Sequence, residues 1–253
     1  MAEVLVLAYH GVSETWHTSM AVTPEALERQ LSYLTRHGWE SATFGDAVLN
    51  PRAARTMAIT LDDALASVRR LALPILGELG LIATVFAPTD HVSSGELCAW
   101  DGLHDWAGTP HAGELAPMSW GELGELADNG WEIGSHTRSH PHLTALPDDE
   151  LTAELEQSRE EAIRRLGIPC RTIAYPYGDV DDRVVEFARR AGYDAGAACS
   201  SRLEELGPYR WPRTGVYHRD AWWRFRLKTT PVVTRARKSR AWPARAIHRS
   251  WAR

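Results

Sequence analysis

Two short polar segments of this sequence carry side chains that can bind a metal and transfer protons. Asp62 and Asp63 follow one β-like run, and His136 and His140, four residues apart, follow another. Such runs are typical of strands, so both segments are expected where a strand ends. Catalytic zinc keeps about three protein ligands and an open position for water, and one carboxylate with two imidazoles supplies that set. One aspartate is left for proton transfer, so the pattern predicts a metal-assisted hydrolase.

Each of these residues also has a plain structural interpretation. Aspartate is a common N-terminal helix cap, so Asp62 and Asp63 alone could simply cap a following helix. His136 and His140 could likewise be surface or capping histidines. The four-residue spacing of the histidines, found together with paired aspartates, favours the metal site.

Bulk composition restricts the class of protein. The 253 residues can bury one large core, and 44% hydrophobic with 24% charged residues is ordinary for a soluble protein. A net charge of −5 is not the strongly basic charge that is typical of nucleic-acid-binding proteins. The three cysteines, Cys98, Cys170 and Cys199, lack a C-x-x-C spacing and are predicted to be buried thiols in a reducing compartment.

The first apolar run predicts a strand. Residues 4–9 are too few for a signal peptide and no basic region precedes them, so a buried strand is expected there. No stretch approaches the roughly 18 apolar residues of a membrane span. We therefore expect a cytoplasmic protein that is not integral to a membrane, with export by another route left open.

Apolar runs alternate with helical patterns along the chain. The predicted strands are 4–9, 56–61, 81–87, 131–135, 171–175 and 193–198, and the predicted helices are 23–38, 65–80, 119–130, 148–167 and 180–191. Residues 88–118 show no period and predict a long loop on the functional face. Strand–helix alternation indicates a parallel sheet with right-handed crossovers, and this length favours a closed or nearly closed α/β barrel in a single domain. Its catalytic residues are expected at the strand ends, where His10, Asp62, Asp63, His136 and the turn 175–178 fall.

Three segments, in order, resemble the motifs of a known family. Residues 60–64 (T-L-D-D-A) are similar to the T-F-D-D-G motif of the polysaccharide deacetylases, carbohydrate esterase family 4. Residues 136–140 (H-T-R-S-H) resemble its second motif, and residues 174–178 (A-Y-P-Y-G) its third. The resemblance covers about residues 4–230 and implies a distorted (β/α) barrel of about seven parallel strands.

The resemblance also implies roles for individual residues. It makes Asp62 the general base, with a divalent metal held by Asp63, His136 and His140. Zinc is the first expectation, although cobalt, nickel, manganese or iron accept the same ligands. The implied substrate-binding residues are Tyr175, Pro176, Tyr177 and Gly178, with a backbone amide of this turn polarising the acyl oxygen.

The sequence departs from the family pattern in three places, the first of which is Ala64 in place of the motif's glycine. Ala174 stands where many members carry an arginine that orients the base, and Arg213 is a candidate to supply that charge; a solvated arginine is the alternative. The family's later histidine motif matches poorly around His218, whereas His10 ends a leucine-x-x-histidine pattern. This permuted order is similar to that of biofilm-polysaccharide deacetylases and makes His10 the preferred general acid. A core histidine at a strand end is the alternative.

The expected activity is metal-dependent removal of N-acetyl groups from an N-acetylhexosamine-containing glycan or glycoconjugate. One alternative keeps the metal and base but cleaves another non-peptide C–N bond, in an amide or a cyclic amide. Another is a carbohydrate-binding barrel without turnover, but a binding-only site would not need Asp62 beside the ligands.

The C-terminus has a different composition from the rest. Residues 234–253 contain seven Arg or Lys, no acidic residue and two Trp. We predict a catalytic domain over 1–230 and a basic tail over 231–253. Such a tail could lie on an anionic membrane surface or contact an acidic partner, which would make the protein membrane-peripheral. A solvated tail is the alternative. The expected partners are therefore a carbohydrate and this surface, with no nucleic acid.

Overall fold

Seven parallel strands close into a ring in the computed structural model, which describes residues 3–199, 207–230 and 233. The strands of the described part are β1 (Glu3–Tyr9), β2 (Gly11–Val12), β3 (Ala21–Val22), β4 (Glu40–Ala42), β5 (Arg55–Leu61), β6 (Thr84–Ala87), β7 (Glu132–Ser135), β8 (Thr172–Ala174), β9 (Ala195–Cys199) and β10 (Trp211–Gly215). The ring order is β1-β5-β6-β7-β8-β9-β10, and β10 pairs again with β1. This confirms the predicted (β/α) barrel of seven parallel strands in one α/β domain.

Helices surround the ring. They are α1 (Pro24–Arg36), α2 (Phe44–Leu49), α3 (Leu73–Glu78), α4 (Trp120–Asp128), α5 (Asp148–Leu166), α6 (Asp182–Arg190) and α7 (Trp222–Lys228). No helix of the described residues is both long and apolar enough to cross a membrane. The predicted tail, 231–253, lies outside the described residues except for residue 233.

Alternation along the strands separates two apolar layers. In β1, Leu5 and Leu7 belong to the cluster that packs under the helices, whereas Val4 and Val6 belong to a second cluster with Ala58 of β5. Successive strand side chains point to opposite faces, so one set fills the barrel and the other contacts the helices. Because both faces are buried, these strands are nearly continuous apolar runs, which is why they could be predicted.

Side-chain caps at helix N-termini explain why some helices could be predicted from the sequence. The Thr23 hydroxyl accepts a hydrogen bond from the backbone N–H of Ala26 (3.1 Å), which caps α1. Ser119 and Glu122 form a reciprocal capping box at the start of α4.

The predicted helix 65–80 differs from the observed structure: a π-helical turn, Val68–Ala72, precedes α3. Pro74 has no N–H to continue an α-helical ladder into that turn.

Several short elements were not predicted. They are β2, β3, β4, α2, β10 and α7. Strand β10 contains Pro212 and Arg213, so it lacks the apolar run by which the other ring strands are identified. Residues 88–118 form the predicted loop, with two short 3-10 turns, and a small apolar cluster that includes Trp16, Leu103 and Leu115 packs beneath it.

Replacement of Gly134 by alanine tests the packing inside the ring. A Cβ atom at Gly134 would lie 2.6 Å from the Phe86 ring and 2.8 Å from Thr172 Oγ1. We expect Gly134→Ala to lower the free energy of unfolding by about 1–3 kcal/mol, as overpacking of a core does. The control is Gly124→Ala on α4, where the nearest atom, of Leu166, is 4.0 Å away. Urea unfolding measures both, and equal midpoints would contradict this packing.

Candidate active site

One cavity opens at the carboxyl ends of the ring strands. His10 follows β1, Asp62 and Asp63 follow β5, and His136 follows β7, as parallel strands of a barrel would deliver them. The residues lining the cavity are His10, Met20, Asp62, Asp63, Trp100, Asp101, His136, His140, Tyr175, Tyr177, Gly178, Cys199 and Arg213. Residues far apart in sequence thus share one cavity.

Asp63, His136 and His140 form a compact, buried cluster. One ligand atom from each lies within 4.8 Å of the others. Asp63 Oδ1 is 3.5 Å from His136 Nε2 and 3.6 Å from His140 Nε2. Both Asp63 carboxylate oxygens are buried and have no hydrogen-bond partner. An unpaired buried carboxylate costs several kcal/mol, so this donor set fits a divalent cation.

The pKa shifts of the three clustered residues are consistent with a divalent cation at this position. Burial and the neighbouring Asp62 raise the pKa of Asp63 well above its usual value, and the opposing effect of the Arg213 charge is smaller. Burial lowers the pKa of both His136 and His140. Burial therefore favours the neutral form of both imidazoles, which is the form that binds a metal.

The two histidine rings are oriented in different ways. His136 Nδ1 donates to the carbonyl oxygen of Ala174 (2.8 Å), which leaves Nε2 directed at Asp63. His140 Nδ1 is buried without a hydrogen-bond partner. Its ring stacks on Trp100 at 4.0 Å with an interplanar angle of 16° and meets the Tyr177 ring edge-on at 4.7 Å. Aromatic packing therefore fixes the orientation of His140.

A buried glutamate, Glu154 of α5, holds the turn between the two histidines. Its carboxylate accepts from the backbone N–H groups of Arg138 (2.8 Å) and Ser139 (3.0 Å) and from the Ser139 hydroxyl (2.6 Å). The Thr137 hydroxyl accepts from the N–H of His140 (3.1 Å), which helps to orient the second histidine. Sequence reasoning missed Glu154; the available signal was an acidic residue within the buried stripe of α5.

Backbone strain is concentrated in this site. Six non-glycine residues of the described part have positive φ, and five of them belong to its three motifs: Asp63, Ala64, Thr137, His140 and Tyr177. Each such residue costs about 1–3 kcal/mol unless its surroundings determine its conformation. Ala64, with φ of 49°, stands where the family motif has glycine. The barrel therefore maintains a conformation that alanine does not favour.

Arg213 pairs with Asp62 in a buried bidentate contact. Its Nη1 donates to Asp62 Oδ1 (2.6 Å) and its Nη2 to Oδ2 (2.8 Å), and only 1% of its side chain is exposed. A solvated Arg213 is thereby excluded. Burial raises the pKa of Asp62, but Arg213 together with His136 and His10 outweighs this effect and the pKa falls to about 2. Asp62 is therefore a carboxylate at neutral pH.

His10 lies on the other side of this carboxylate. Its Nε2 is 3.8 Å from Asp62 Oδ2, and it lines the cavity. Burial lowers the pKa of His10 to about 4, although Asp62 opposes the shift. His218 instead packs against His17, with ring centroids 5.0 Å apart, and is not among the cavity-lining residues. Of the two candidate acids, His10 is the one that lies beside Asp62.

The predicted substrate turn is only partly available to a ligand. Tyr175 is fully buried, and its hydroxyl donates to the carbonyl of Tyr209 (3.0 Å). Pro176 is also buried. The Tyr175 ring thus packs in the core while also lining the cavity, and its role in substrate binding stays a prediction. Tyr177 and Gly178 remain partly exposed in the cavity.

Removal of Arg213 tests the buried pair. Arg213→Met leaves Asp62 buried without its partner, so we expect a loss of about 3–5 kcal/mol in the free energy of unfolding. The double variant Asp62→Asn/Arg213→Met should cost less than the sum of the single changes. Arg69→Met, which breaks the exposed pair with Glu125, should change little. Additive costs in the double-mutant cycle would contradict the pairing.

Comparisons with known proteins identify the family of this chain. The family model for polysaccharide deacetylase matches residues 50–196. Protein YxkH of Bacillus subtilis is 22% identical over 77% of this chain and 64% of its own length. Chitin deacetylase 1 of Cryptococcus neoformans var. grubii is 42% identical over 64 residues, 25% of this chain and 14% of its own.

The same fold occurs among solved structures. The deacetylase PplD of Streptococcus pyogenes, solved with acetate, superposes with a TM-score of 0.75 at 20% identity and covers 91% of this chain and 99% of its own. This similarity concerns the fold, whereas the family model covers more than half of the sequence and includes Asp62, Asp63, His136 and His140 but not His10. The chain therefore belongs to the polysaccharide deacetylase family.

Proposed function

We propose that this protein is a metal-dependent hydrolase that removes N-acetyl groups from an N-acetylhexosamine-containing glycan or glycoconjugate. One observation carries the proposal: a carboxylate paired with arginine, Asp62, adjoins a buried and unpartnered carboxylate, Asp63, that faces two histidines. This combination provides a base and a cation site side by side. Membership of the family supports the glycan as the substrate class.

The ligands of the metal would be Asp63, His136 and His140. When bound, a divalent ion would polarise the acyl carbonyl and lower the pKa of a water molecule. Zinc suits one carboxylate and two imidazoles, and cobalt, nickel, manganese or iron are accepted by the same set. The role of Glu154 and Trp100 is to keep the ligand atoms in place before the ion arrives.

Asp62 would act as the general base and His10 as the general acid. Asp62 takes a proton from water as the oxygen bonds to the acyl carbon, and Arg213 keeps the carboxylate oriented. The C–N bond then breaks, and His10 protonates the leaving amine. His10 Nε2 is 3.8 Å from Asp62 Oδ2, so the proton would pass from Asp62 to His10 through one water molecule or after the two groups move closer. The products are acetate and an amino sugar.

The remaining cavity residues would bind the sugar and the acyl oxygen. Tyr177 and Trp100 line the cavity next to His140, and a sugar would contact the ring surfaces that His140 and His142 leave uncovered. A backbone amide of the turn 175–178 would stabilise the developing oxyanion.

The cytoplasmic location of the protein stays a prediction.

Metal content tests the ligand set. We expect the purified protein to bind about one divalent ion, and His140→Ala to lower the affinity by orders of magnitude, since an open catalytic site has no spare donor. His142→Ala is the matched control, because this nearby, half-exposed histidine lies outside the cluster. Elemental analysis after dialysis measures both. A full complement of metal in His140→Ala would rule out this site.

Acetate release from a panel of acetylated sugars, with added zinc or cobalt, tests the activity. A positioned general acid contributes about 10²- to 10⁴-fold, so His10→Ala should lower kcat by that factor while retaining metal. Asp62→Asn should abolish turnover. His218→Ala is the control and should retain nearly normal kcat. A damaged His218→Ala with a normal His10→Ala would show that the acid comes from the later segment.

The same panel distinguishes the alternatives. Sugar binding without acetate release by the metal-loaded protein would indicate a binding barrel. Release from non-sugar amides but not from sugars would indicate a different C–N hydrolase.

A further inference from the structure

Helix α7 presents an apolar pair to solvent. Among the residues that the structure describes, Trp223 (68% exposed) and Leu227 (52% exposed) are the exposed large hydrophobic side chains. They are four residues apart in one helix, so they lie on the same face. Scattered single apolar residues are ordinary on a surface, but an adjacent tryptophan and leucine form a patch that suits a partner.

The other side of α7 is anchored to the barrel. Phe225 is fully buried, and Trp222 packs edge-on against Tyr33 of α1 with ring centroids 5.2 Å apart. The Arg29 guanidinium lies 4.8 Å from the Trp222 ring. Lys228 Nζ donates to the carbonyl of Gly215 at the end of β10 (3.0 Å). The exposed pair is thus held outward by a supported helix.

Charge along the chain changes sign at this helix. Residues 1–218 contain 17 Lys and Arg against 32 Asp and Glu, whereas residues 219–253 contain 11 against one. That one acid, Asp220, is paired with Lys228 and lies 3.5 Å from Arg224. An anionic surface would therefore attract α7 and the residues that follow it in the sequence more strongly than the acidic part of the chain that precedes them.

We propose that the α7 face formed by Trp223 and Leu227 docks on an anionic lipid membrane, with the basic residues that follow it in the sequence. Tryptophan and leucine partition into the membrane interface, and clustered Arg and Lys are attracted to anionic head groups. A second copy of the chain is disfavoured as the occupant of this face, because two such ends meeting symmetrically would bring like charges together. This docking does not depend on the proposed deacetylase activity.

Vesicle cosedimentation of the full chain tests the docking. We expect binding to vesicles with about 30% phosphatidylserine, little binding to pure phosphatidylcholine, and about a tenfold loss when salt is raised from about 0.1 to 0.5 M. Trp223→Ser/Leu227→Ser should weaken binding to the anionic vesicles about tenfold or more, because the apolar anchor is removed. The matched control Trp223→Phe/Leu227→Met keeps the apolar face and should bind as the wild type does.

Thermal unfolding of both variants checks that the exposed substitutions leave the fold unchanged. Three results would overturn the proposal. Equal vesicle binding by the serine variant would assign the contact to the basic residues alone. No binding of the wild type to anionic vesicles would exclude this membrane as the partner. A wild-type dimer that dissociates in the serine variant, seen by analytical ultracentrifugation, would make a second copy the occupant.

Discussion

The structure of the site depends on how two adjacent buried carboxylates are compensated. Asp62 and Asp63 are at most 2% exposed, so each charge needs a partner of opposite sign. Arg213 pairs with Asp62 through both oxygens, whereas neither oxygen of Asp63 has a hydrogen-bond partner. Because only one of the two is paired, the carboxylates are suited to different roles. Asp62 stays ionised, and Asp63 is suited to bind a cation. Neutral His136 and His140 complete the cation site beside it.

Keeping this arrangement requires a strained backbone and supports around it. The positive φ values of Asp63, Thr137 and His140 are conformations that these residues do not favour in isolation. Glu154 fixes the turn through two backbone N–H groups, and Trp100 covers the His140 ring. Folding free energy from the rest of the barrel maintains this geometry, which is then available before substrate or metal binds.

The ring of strands explains why such distant residues can act together. Alternate side chains of each strand point into the barrel, and the strand ends converge on one mouth. Closure through β10 and β1 brings Arg213 to Asp62 across 151 residues of sequence. Strand β10, which carries Arg213, is also the strand that precedes α7. The cavity and the helix that we propose to face the membrane are therefore both attached to β10.

Many of the longer strands and helices of this protein, and the candidate metal ligands, could be predicted from the sequence alone. Continuous apolar runs indicate strands buried on both faces, caps such as Thr23 mark helix starts, and the aspartate pair with the four-residue histidine spacing indicates the chemistry. The partners of those groups were decided by the tertiary structure. Arg213 lies in a strand interrupted by proline, Glu154 is part of an ordinary acidic helix, and Tyr175 turns into the core although its motif suggested a groove. Local periodicity shows which residues share a face, but only barrel closure decides which distant side chains meet, because that depends on the register of strands far apart in sequence.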